Sequence, residues 1–369
     1  METVAVCPAL GAPRLLTLAA RGIESMADLE RRLFCYRLRK TPSGLVREGI
    51  SHRYTVMTLL GLLRARPMGL DSRIDVDSML DQLLKETSWV DNVGDLGLLL
   101  WLCASSGQER LHRFERVFPI SEALQRYPDS RRGPTMELSW FLTGLVFARK
   151  AGSQKHAELA YQTYDLLRRN QGEHGFFGHM AKWSSISGVA RGYIGSFADQ
   201  VYPIFAMAHF SEVFGDRQAR ENALRCANAI CDRQGPLGQW WWHYNSRTGR
   251  VVEQYPVYSV HQHGMAPMAL LALQETGRAD YYAPINKGLK WINGANELGQ
   301  DLEDTEAGVA WRCIQHSKSA KWLAAASTFL GIYPKRGPLY PLYECRPYEL
   351  GWLLYALAPT CSTANAELN

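Results

Sequence analysis

The segment 239–264, QWWWHYNSRTGRVVEQYPVYSVHQHG, is unusually rich in side chains that could do chemistry. Three consecutive tryptophans open it, and histidines and tyrosines follow. Flat aromatic faces pack against sugar rings or cations, and His and Tyr can move protons near neutral pH. The alternative is that the tryptophans fill the edge of the fold while the histidines cap helix ends. We predict catalytic roles for Tyr258, His261 and His263, and substrate-binding roles for Trp241, Trp242, His243 and Tyr255.

Carboxylates recur at the expected starts of buried helices, where several could meet in one cavity. Two of them could serve as a general acid and a general base. Carboxylates are also favoured at helix N-termini by up to about 1 kcal/mol whether or not they react, so a structural role stays open for each. We predict that Asp199 and Glu137 are catalytic, and that Asp95 and Gln200 bind substrate.

Three arginines, Arg53, Arg312 and Arg346, lie near the ends of apolar helices. A buried guanidinium needs an acidic partner, which is either a carboxylate of the protein or a carboxylate or phosphate of the substrate. Pairing within the protein is the simpler interpretation. We nevertheless include Arg346 among the predicted substrate-binding residues.

His261 and His263 form an H-x-H pair, which can present two imidazoles to a metal ion. No HExxH motif or Cys-His spacing supplies a third ligand. We therefore predict neither a metal nor another cofactor.

The elements that must position these residues are helices of two alternating kinds. Amphipathic helices with one charged face are predicted at 23–38, 73–86, 109–126, 155–169, 216–232, 279–293 and 318–330. Helices that are apolar on nearly every side are predicted at 54–64, 95–104, 137–148, 199–210, 264–274, 304–315 and 348–358. The second kind must be buried on every side.

The buried helices begin at intervals of roughly 42 residues, lengthening to about 62 at two places, which indicates a repeated helical hairpin. The extra length falls in two loops, 171–196 and 234–258, and long loops in a compact domain are usually functional. We predict an all-α fold, an (α/α)6 to (α/α)7 toroid of antiparallel helical hairpins. It forms a single domain over residues 1–369, with 1–20 a loosely ordered N-terminal segment. The N-termini of the inner helices then gather at one mouth of the ring.

Composition excludes several kinds of partner. The formal net charge of +5 is spread along the chain without a basic stripe, so no nucleic-acid partner is expected. The eight cysteines are scattered, as in a reducing compartment. Neither a signal peptide nor a membrane span is apparent. We expect a cytoplasmic protein with a small-molecule or oligosaccharide substrate, and the sequence leaves its oligomeric state open.

Two turns resemble those of known α/α toroids. The segments 166–177, LLRRNQGEHGFF, and 230–241, ICDRQGPLGQWW, each end an outer helix with Gln, a short turn, Gly and an aromatic residue. This pattern resembles the Q-x-x-x-G-x-W/F repeat of terpenoid cyclases and protein prenyltransferases, and similar turns occur in six-hairpin glycosidases and sugar epimerases. The resemblance implies structural roles for Gln171, Gly175, Gln234, Gly238 and Trp240.

Three functions are compatible with this pattern. The polar residues around the predicted mouth favour a carbohydrate-active hydrolase, lyase or epimerase that acts on a glycan or uronic acid by acid/base catalysis, because sugar hydroxyls need many polar partners. The alternative is a terpene-cyclase-like or prenyl-transferring toroid. It is suggested by DLEDT at 301–305, which resembles the D-x-D-D-T acid of class II terpene cyclases but has Glu303 in place of an Asp. A non-catalytic glycan-binding toroid also stays open.

Overall fold

The structure is a computed structural model that describes residues 11–69, 72–127, 133–180, 192–277, 279–317 and 337–366. Within these ranges six inner helices are apolar on nearly every side. They are α2 (His52–Ala65), α4 (Val93–Ser105), α7 (Thr135–Lys150), α9 (Ala198–Phe214), α11 (Ala266–Glu275) and α13 (Pro347–Ala366). In α4 every residue except the last is buried, as its uniform hydrophobicity predicts.

Six amphipathic helices alternate with the inner ones along the chain and surround them. They are α1 (Ala12–Met26), α3 (Val76–Lys85), α5 (Gln108–Val117), α8 (Ala157–Arg168), α10 (Arg217–Asp232) and α12 (Tyr282–Ile292). A short helix, α6 (Ala123–Arg126), lies in the connection between α5 and α7. The fold is therefore the predicted α/α toroid, and the described residues form six hairpins.

The inner helices pack in a closed ring, because each contacts the next and α13 returns to α2. Glycines allow two of these contacts. A Cβ on Gly97 would lie 2.3 Å from the Cα of Phe141 on α7, and one on Gly61 would lie 2.1 Å from the carbonyl oxygen of Gly351 on α13. Side chains at these positions would force neighbouring helices apart.

The inner helices all run in the same direction. Near their N-termini Arg53 of α2 binds Asp95 of α4, and Arg346, just before α13, binds Tyr54 of α2. At the opposite end Lys150 of α7 pairs with Glu212 of α9. The predicted gathering of N-termini at one mouth is confirmed.

Short strands join the helices, many of them on the mouth side. They are β1 (Ala27–Asp28), β2 (Leu33–Thr41), β3 (Gly44–Ile50), β4 (Ile194–Ser196), β5 (His243–Asn245), β6 (Arg250–Glu253), β7 (Val257–Tyr258), β8 (Glu303–Asp304), β9 (Val309–Ala310), β10 (Cys313–His316), β11 (Leu339–Leu342) and β12 (Glu344–Cys345). All pairs are antiparallel: β2 pairs with β1, β3 and β12, β5 with β4 and β6, β10 with β7 and β11, and β8 with β9.

Three sequence predictions need correction. The expected helix 304–315 is instead β8, β9 and β10, so there is no seventh inner helix within the described residues. The expected helix 23–38 ends at Met26 and gives way to β1 and β2. Residues 12–20, expected to be loosely ordered, belong to α1, where Pro13 suits the first helical turn. The expected helix 318–330 and residues 1–10 lie outside the described residues.

The two Gln/Gly/aromatic turns bridge neighbouring hairpins. Nε2 of Gln171 donates to the carbonyl of Gly175 in its own turn, at 3.0 Å, and to that of Asn222 on α10, at 2.8 Å. Nε2 of Gln234 likewise donates to Gly238, at 3.0 Å, and to Pro284 on α12, at 2.9 Å. The structural roles predicted for both glutamines are confirmed.

Among the described residues, no helix combines the length and hydrophobicity needed to cross a membrane.

Candidate active site

Asp199 lies in the first turn of α9 and is buried at the mouth. Its Oδ2 accepts hydrogen bonds from the backbone N–H of Ser196 at 2.8 Å and from the Ser196 hydroxyl at 2.9 Å. Nδ1 of His179 lies 3.3 Å from the same oxygen. Oδ1 has no hydrogen-bond partner within the described residues. Oδ2 is thus fixed by the protein, and Oδ1 is the oxygen left for a substrate or water.

Glu137 occupies the first turn of the neighbouring inner helix, α7. Burial raises the pKa of its carboxyl group, and the negative charge of Asp199 raises it further. Its Oε2 is buried and has no hydrogen-bond partner in the described part of the chain. Glu137 and Asp199 therefore form an electrostatically coupled pair in which Glu137 retains its proton more readily than an ordinary glutamic acid.

Asp95 and Arg53 continue this polar row onto α4 and α2. Nε of Arg53 lies 2.5 Å from Oδ1 of Asp95, and Nη2 lies 2.9 Å from Oδ2, so the pair is bidentate. Burial raises the pKa of Asp95 to about 6 despite this partner. The Arg53 guanidinium stacks over Trp140 with 5.8 Å to the ring centroid. Asp95, predicted to bind substrate, has both oxygens engaged by Arg53.

Arginines occupy the other side of the mouth, before α13. Arg312 is held by Glu349, and its Nε lies 3.1 Å from a Glu344 oxygen. Arg346 is less fully paired: Nη1 donates to the Tyr54 hydroxyl at 2.6 Å, and Nη2 lies 3.4 Å from Glu344. Its Nε has no hydrogen-bond partner among the described residues. The pairing of Arg312 within the protein is thereby established, whereas Arg346 keeps donor capacity.

The aromatic side chains before α11 form a stack. Trp242 is half-buried and lies parallel to His261, with 6.0 Å between ring centroids and 11° between planes. His261 packs in turn on Phe197, at 4.5 Å. Tyr258 lies 4.9 Å from Trp242 and under the Arg312 guanidinium, and burial raises the pKa of its hydroxyl to about 12. Trp242 is therefore the accessible member of a supported stack.

The remaining aromatic candidates lie along the loop. Trp241 is buried and contacts Tyr255 edge-on, at 6.1 Å. The Tyr255 hydroxyl donates to Glu297 at 2.6 Å. Nδ1 of His243 lies 2.9 Å from Glu253. Each has a partner in the protein, and their predicted contacts with substrate stay predictions.

Three further predicted site residues are buried. His261 and His263 are among them, and burial lowers the pKa of each to about 3, so both imidazoles are neutral near pH 7. Both lie in a π-helical turn, His261–Met265, that opens α11. Gln200 is fully buried and its amide bonds both backbone groups of Phe177, at 2.8 and 2.9 Å. Gln200 therefore has a structural role in the loop before α9, and the catalytic roles of His261 and His263 stay predictions.

Several residues of the site escaped sequence analysis. Ser196 and Asp199 exchange hydrogen bonds in a capping box, since the Asp199 N–H also donates to the Ser196 hydroxyl at 3.3 Å. The S-x-x-D spacing was a readable signal for this arrangement. His179 contacts Asp199 from a distant loop, and nothing local in the sequence indicates that. Trp140 lies one turn after Glu137 in α7, where it stacks with Arg53. Within the described residues no cluster of three or more His, Cys, Asp or Glu side chains could hold a metal ion.

Asp304, in the DLEDT segment, does not begin an inner helix. It is in β8, where its Oδ1 accepts from the Ala307 N–H at 2.9 Å and its Oδ2 lies 3.5 Å from Lys40. It occupies an irregular hairpin and pairs with a lysine, so the motif does not supply the isolated acid that a cyclase-like cavity needs.

The closed ring of inner helices, surrounded by the outer helices, defines the fold as an α/α toroid with carboxylates at its mouth. No protein family model and no curated protein matches the sequence. Solved structures do match. Unsaturated glucuronyl hydrolase from Bacillus sp. GL1 has a TM-score of 0.61 and 14% identity over 94% of each chain.

Two further structures have the same fold. Unsaturated glucuronyl hydrolase from Streptococcus agalactiae has a TM-score of 0.60 and 12% identity over 96% of this chain and 92% of its own. A Klebsiella pneumoniae protein described as a possible member of the GH105 family has a TM-score of 0.63 and 12% identity, over 99% and 96%. At these identities the similarity is one of fold.

Proposed function

We propose that this protein is a carbohydrate-active hydrolase that removes a terminal unsaturated glucuronyl residue from an oligosaccharide at the mouth of the toroid. One observation carries the proposal. Glu137 and Asp199, on adjacent inner helices, each present a buried carboxyl oxygen that has no partner among the described residues. The fold of unsaturated glucuronyl hydrolases supports the choice of substrate.

The two carboxyl groups divide the proton transfers that hydrolysis requires. Glu137 is the general acid, because burial and the charge of Asp199 raise its pKa and so favour its protonated form. Asp199 is the general base: Ser196 holds its Oδ2, and Oδ1 accepts a proton from the attacking water. Their unequal surroundings give two similar groups opposite roles.

Arg346 is the proposed partner of the substrate carboxylate. Its guanidinium stacks on the Tyr36 ring, 4.6 Å from the centroid, and is oriented by the Tyr54 hydroxyl. Arg312 is paired with Glu344 and Glu349, whereas Arg346 is a cation with a donor that has no partner among the described residues. Trp242 offers a flat face for a sugar ring, and His261 supports that face from behind.

A turnover assay tests this proposal. The substrate is a disaccharide with a terminal unsaturated glucuronyl residue, beside a saturated counterpart. Loss of the ultraviolet absorbance of the conjugated double bond follows the first compound, and release of reducing sugar follows both. We expect turnover of the unsaturated compound by the wild-type chain, and a loss of about 100-fold or more in Glu137→Gln with an unchanged melting temperature.

The matched control is Glu158→Gln, an exposed carboxylate in the first turn of the outer helix α8, which should leave turnover unchanged. No turnover of any uronyl oligosaccharide by the wild-type chain, or full activity of Glu137→Gln, would overturn the proposal.

A further inference from the structure

A groove lies on the outer side of the first two hairpins, beside the mouth. It consists of two clefts, of about 460 and 310 Å³, that share Arg31 and Ile50 in their walls. The larger cleft is also lined by Glu30, Leu33, His52, Gln82 and Glu86. Its volume is within the range of small-molecule sites, and the proposed chemistry of the mouth uses none of these residues.

The polar groups of the larger cleft are open to a ligand. Glu30, Arg31 and Glu86 are exposed, and Gln82 is half-buried. The partner nearest to Glu86 is Nε2 of His52 at 3.8 Å, which is too long for a hydrogen bond. Two carboxylates, an amide and a guanidinium therefore offer both acceptors and donors.

The floor of the cleft is apolar. Leu33 is buried there, and Ile50 is half-buried and packs against the core. An apolar floor with hydrogen-bonding walls suits a ring with C–H groups on its face and hydroxyls at its edge. Across the two clefts the carboxylates of Asp28, Glu30 and Glu86 are opposed by the guanidinium groups of Arg31 and Arg47, and Arg31 lies 3.7 Å from Asp28. This composition favours a neutral sugar over a strongly charged ligand.

The groove adjoins the mouth through two short pieces of chain. On α2, His52 lines the groove while the next residue, Arg53, binds Asp95 in the mouth. The connection from α3 to α4 begins at Glu86 in the groove and ends just before α4, which carries Asp95 in its first turn. Trp89 lies between these points and stacks on His52, with 5.7 Å between centroids and 10° between planes. An oligosaccharide that extends from the mouth would pass over Trp89 and His52 to enter the groove.

We propose that this groove is a distal subsite that holds a neutral sugar unit of the oligosaccharide whose terminal residue is cleaved at the mouth. The inference rests on the proposed function. It implies that the protein prefers longer substrates, since a disaccharide held at the mouth does not reach the groove.

The test compares two substrates, the tetrasaccharide dGlcA-Glc-Rha-Glc, which has been studied with unsaturated glucuronyl hydrolase, and the disaccharide dGlcA-Glc. The variant is Glu30→Ala with Gln82→Ala, two accessible positions. We expect KM for the tetrasaccharide to rise about tenfold, as for the loss of one or two hydrogen bonds, with kcat unchanged. Both constants for the disaccharide should stay at wild-type values.

The control is Glu158→Ala with Gln162→Ala, a similar exposed pair on α8 in which Gln162 donates to Glu158 at 3.2 Å. It should change neither constant for either substrate. An unchanged KM for the tetrasaccharide in the groove variant, or equal increases for both substrates, would overturn the inference while leaving the proposed function intact.

Calorimetric titration of the tetrasaccharide into Glu137→Gln, with and without the groove substitutions, separates the two proposals. If the wild-type chain cleaves neither substrate, the proposed function fails. A loss of affinity caused by the groove substitutions would then still support the subsite, and unchanged affinity or no binding at all would refute it.

Discussion

Glu137 owes its proposed role to its neighbours. A glutamate in the first turn of a helix would ordinarily be stabilised in its charged form by the helix dipole. Here burial and the charge of Asp199 act in the opposite direction and raise its pKa. The positions of both residues at helix starts are readable in the sequence. Which residue is the acid and which the base is not, because the electrostatic coupling of the two carboxyl groups joins helices about sixty residues apart in the chain.

The raised pKa of Glu137 predicts the pH dependence of turnover. A general acid works only while it is protonated, so kcat should fall as pH rises through the pKa of Glu137. Because that pKa is raised from its ordinary value of 4.5, this decline should begin at a higher pH than for an unperturbed glutamic acid. A kcat profile from pH 3 to 9 checks the sign. Activity that only increases over that range would exclude Glu137 as the acid.

His261 is predicted to act by supporting Trp242. Its ring lies between Phe197 and Trp242, and burial lowers its pKa to about 3. His261→Phe should therefore keep kcat within roughly threefold of wild type, because an aromatic ring of similar shape fills the same space. His261→Ala should lower the free energy of unfolding by about 2 kcal/mol or more and raise KM. A hundredfold lower kcat in the well-folded phenylalanine variant would restore a catalytic role.

At the scale of elements, the turn at Gly238 shows how a short pattern fixes one hairpin to the next. Gly238 has a φ of 101°, and a Cβ there would lie 2.2 Å from the carbonyl oxygen of Lys287 on α12. Any side chain at position 238 would therefore strain the backbone and also collide with α12. The Gln/Gly/aromatic pattern predicts the turn but not this contact with α12.

Gly238→Ala should therefore lower the free energy of unfolding by at least about 2 kcal/mol more than Gly107→Ala. Gly107 has a similar φ of 118° but no atom within 4 Å of the position of its Cβ, so this control measures backbone strain alone. Chemical denaturation of both variants gives the comparison. Equal costs would mean that the contact with α12 does not constrain the turn.

The elements that sequence analysis missed share a physical cause. α4 spans thirteen residues, nearly all of them apolar, and an apolar run of that length indicates a buried helix. The run around Val309, Trp311 and Ile314 is shorter, and short apolar runs suit a buried strand as well as a buried helix. It becomes strand because β10 pairs on both sides, with β7 and β11. Those partners are distant in the sequence and leave no local trace.

The whole molecule shows which properties follow from a repeated pattern. The alternation of amphipathic and apolar helices specifies a double ring, and the ring brings the inner N-termini together whatever the individual side chains are. The fold therefore persists at 12–14% identity to the solved hydrolases. The proposed choice of substrate depends instead on single residues such as Arg346 and Trp242, whose neighbours come from separate hairpins, so the sequence pattern alone predicts no more than the class of substrate.

Whether Glu137 and Asp199 act on a sugar at the mouth can be seen directly in a crystal structure of Glu137→Gln with a bound dGlcA disaccharide. We expect the unsaturated ring at the inner-helix N-termini, with its carboxylate on Arg346 and its face on Trp242. Residues 137 and 199 should both lie within hydrogen-bonding distance, about 3 Å, of the reacting atoms or of the attacking water. A sugar bound elsewhere on the toroid, or one at the mouth that neither residue 137 nor residue 199 reaches, would contradict the account.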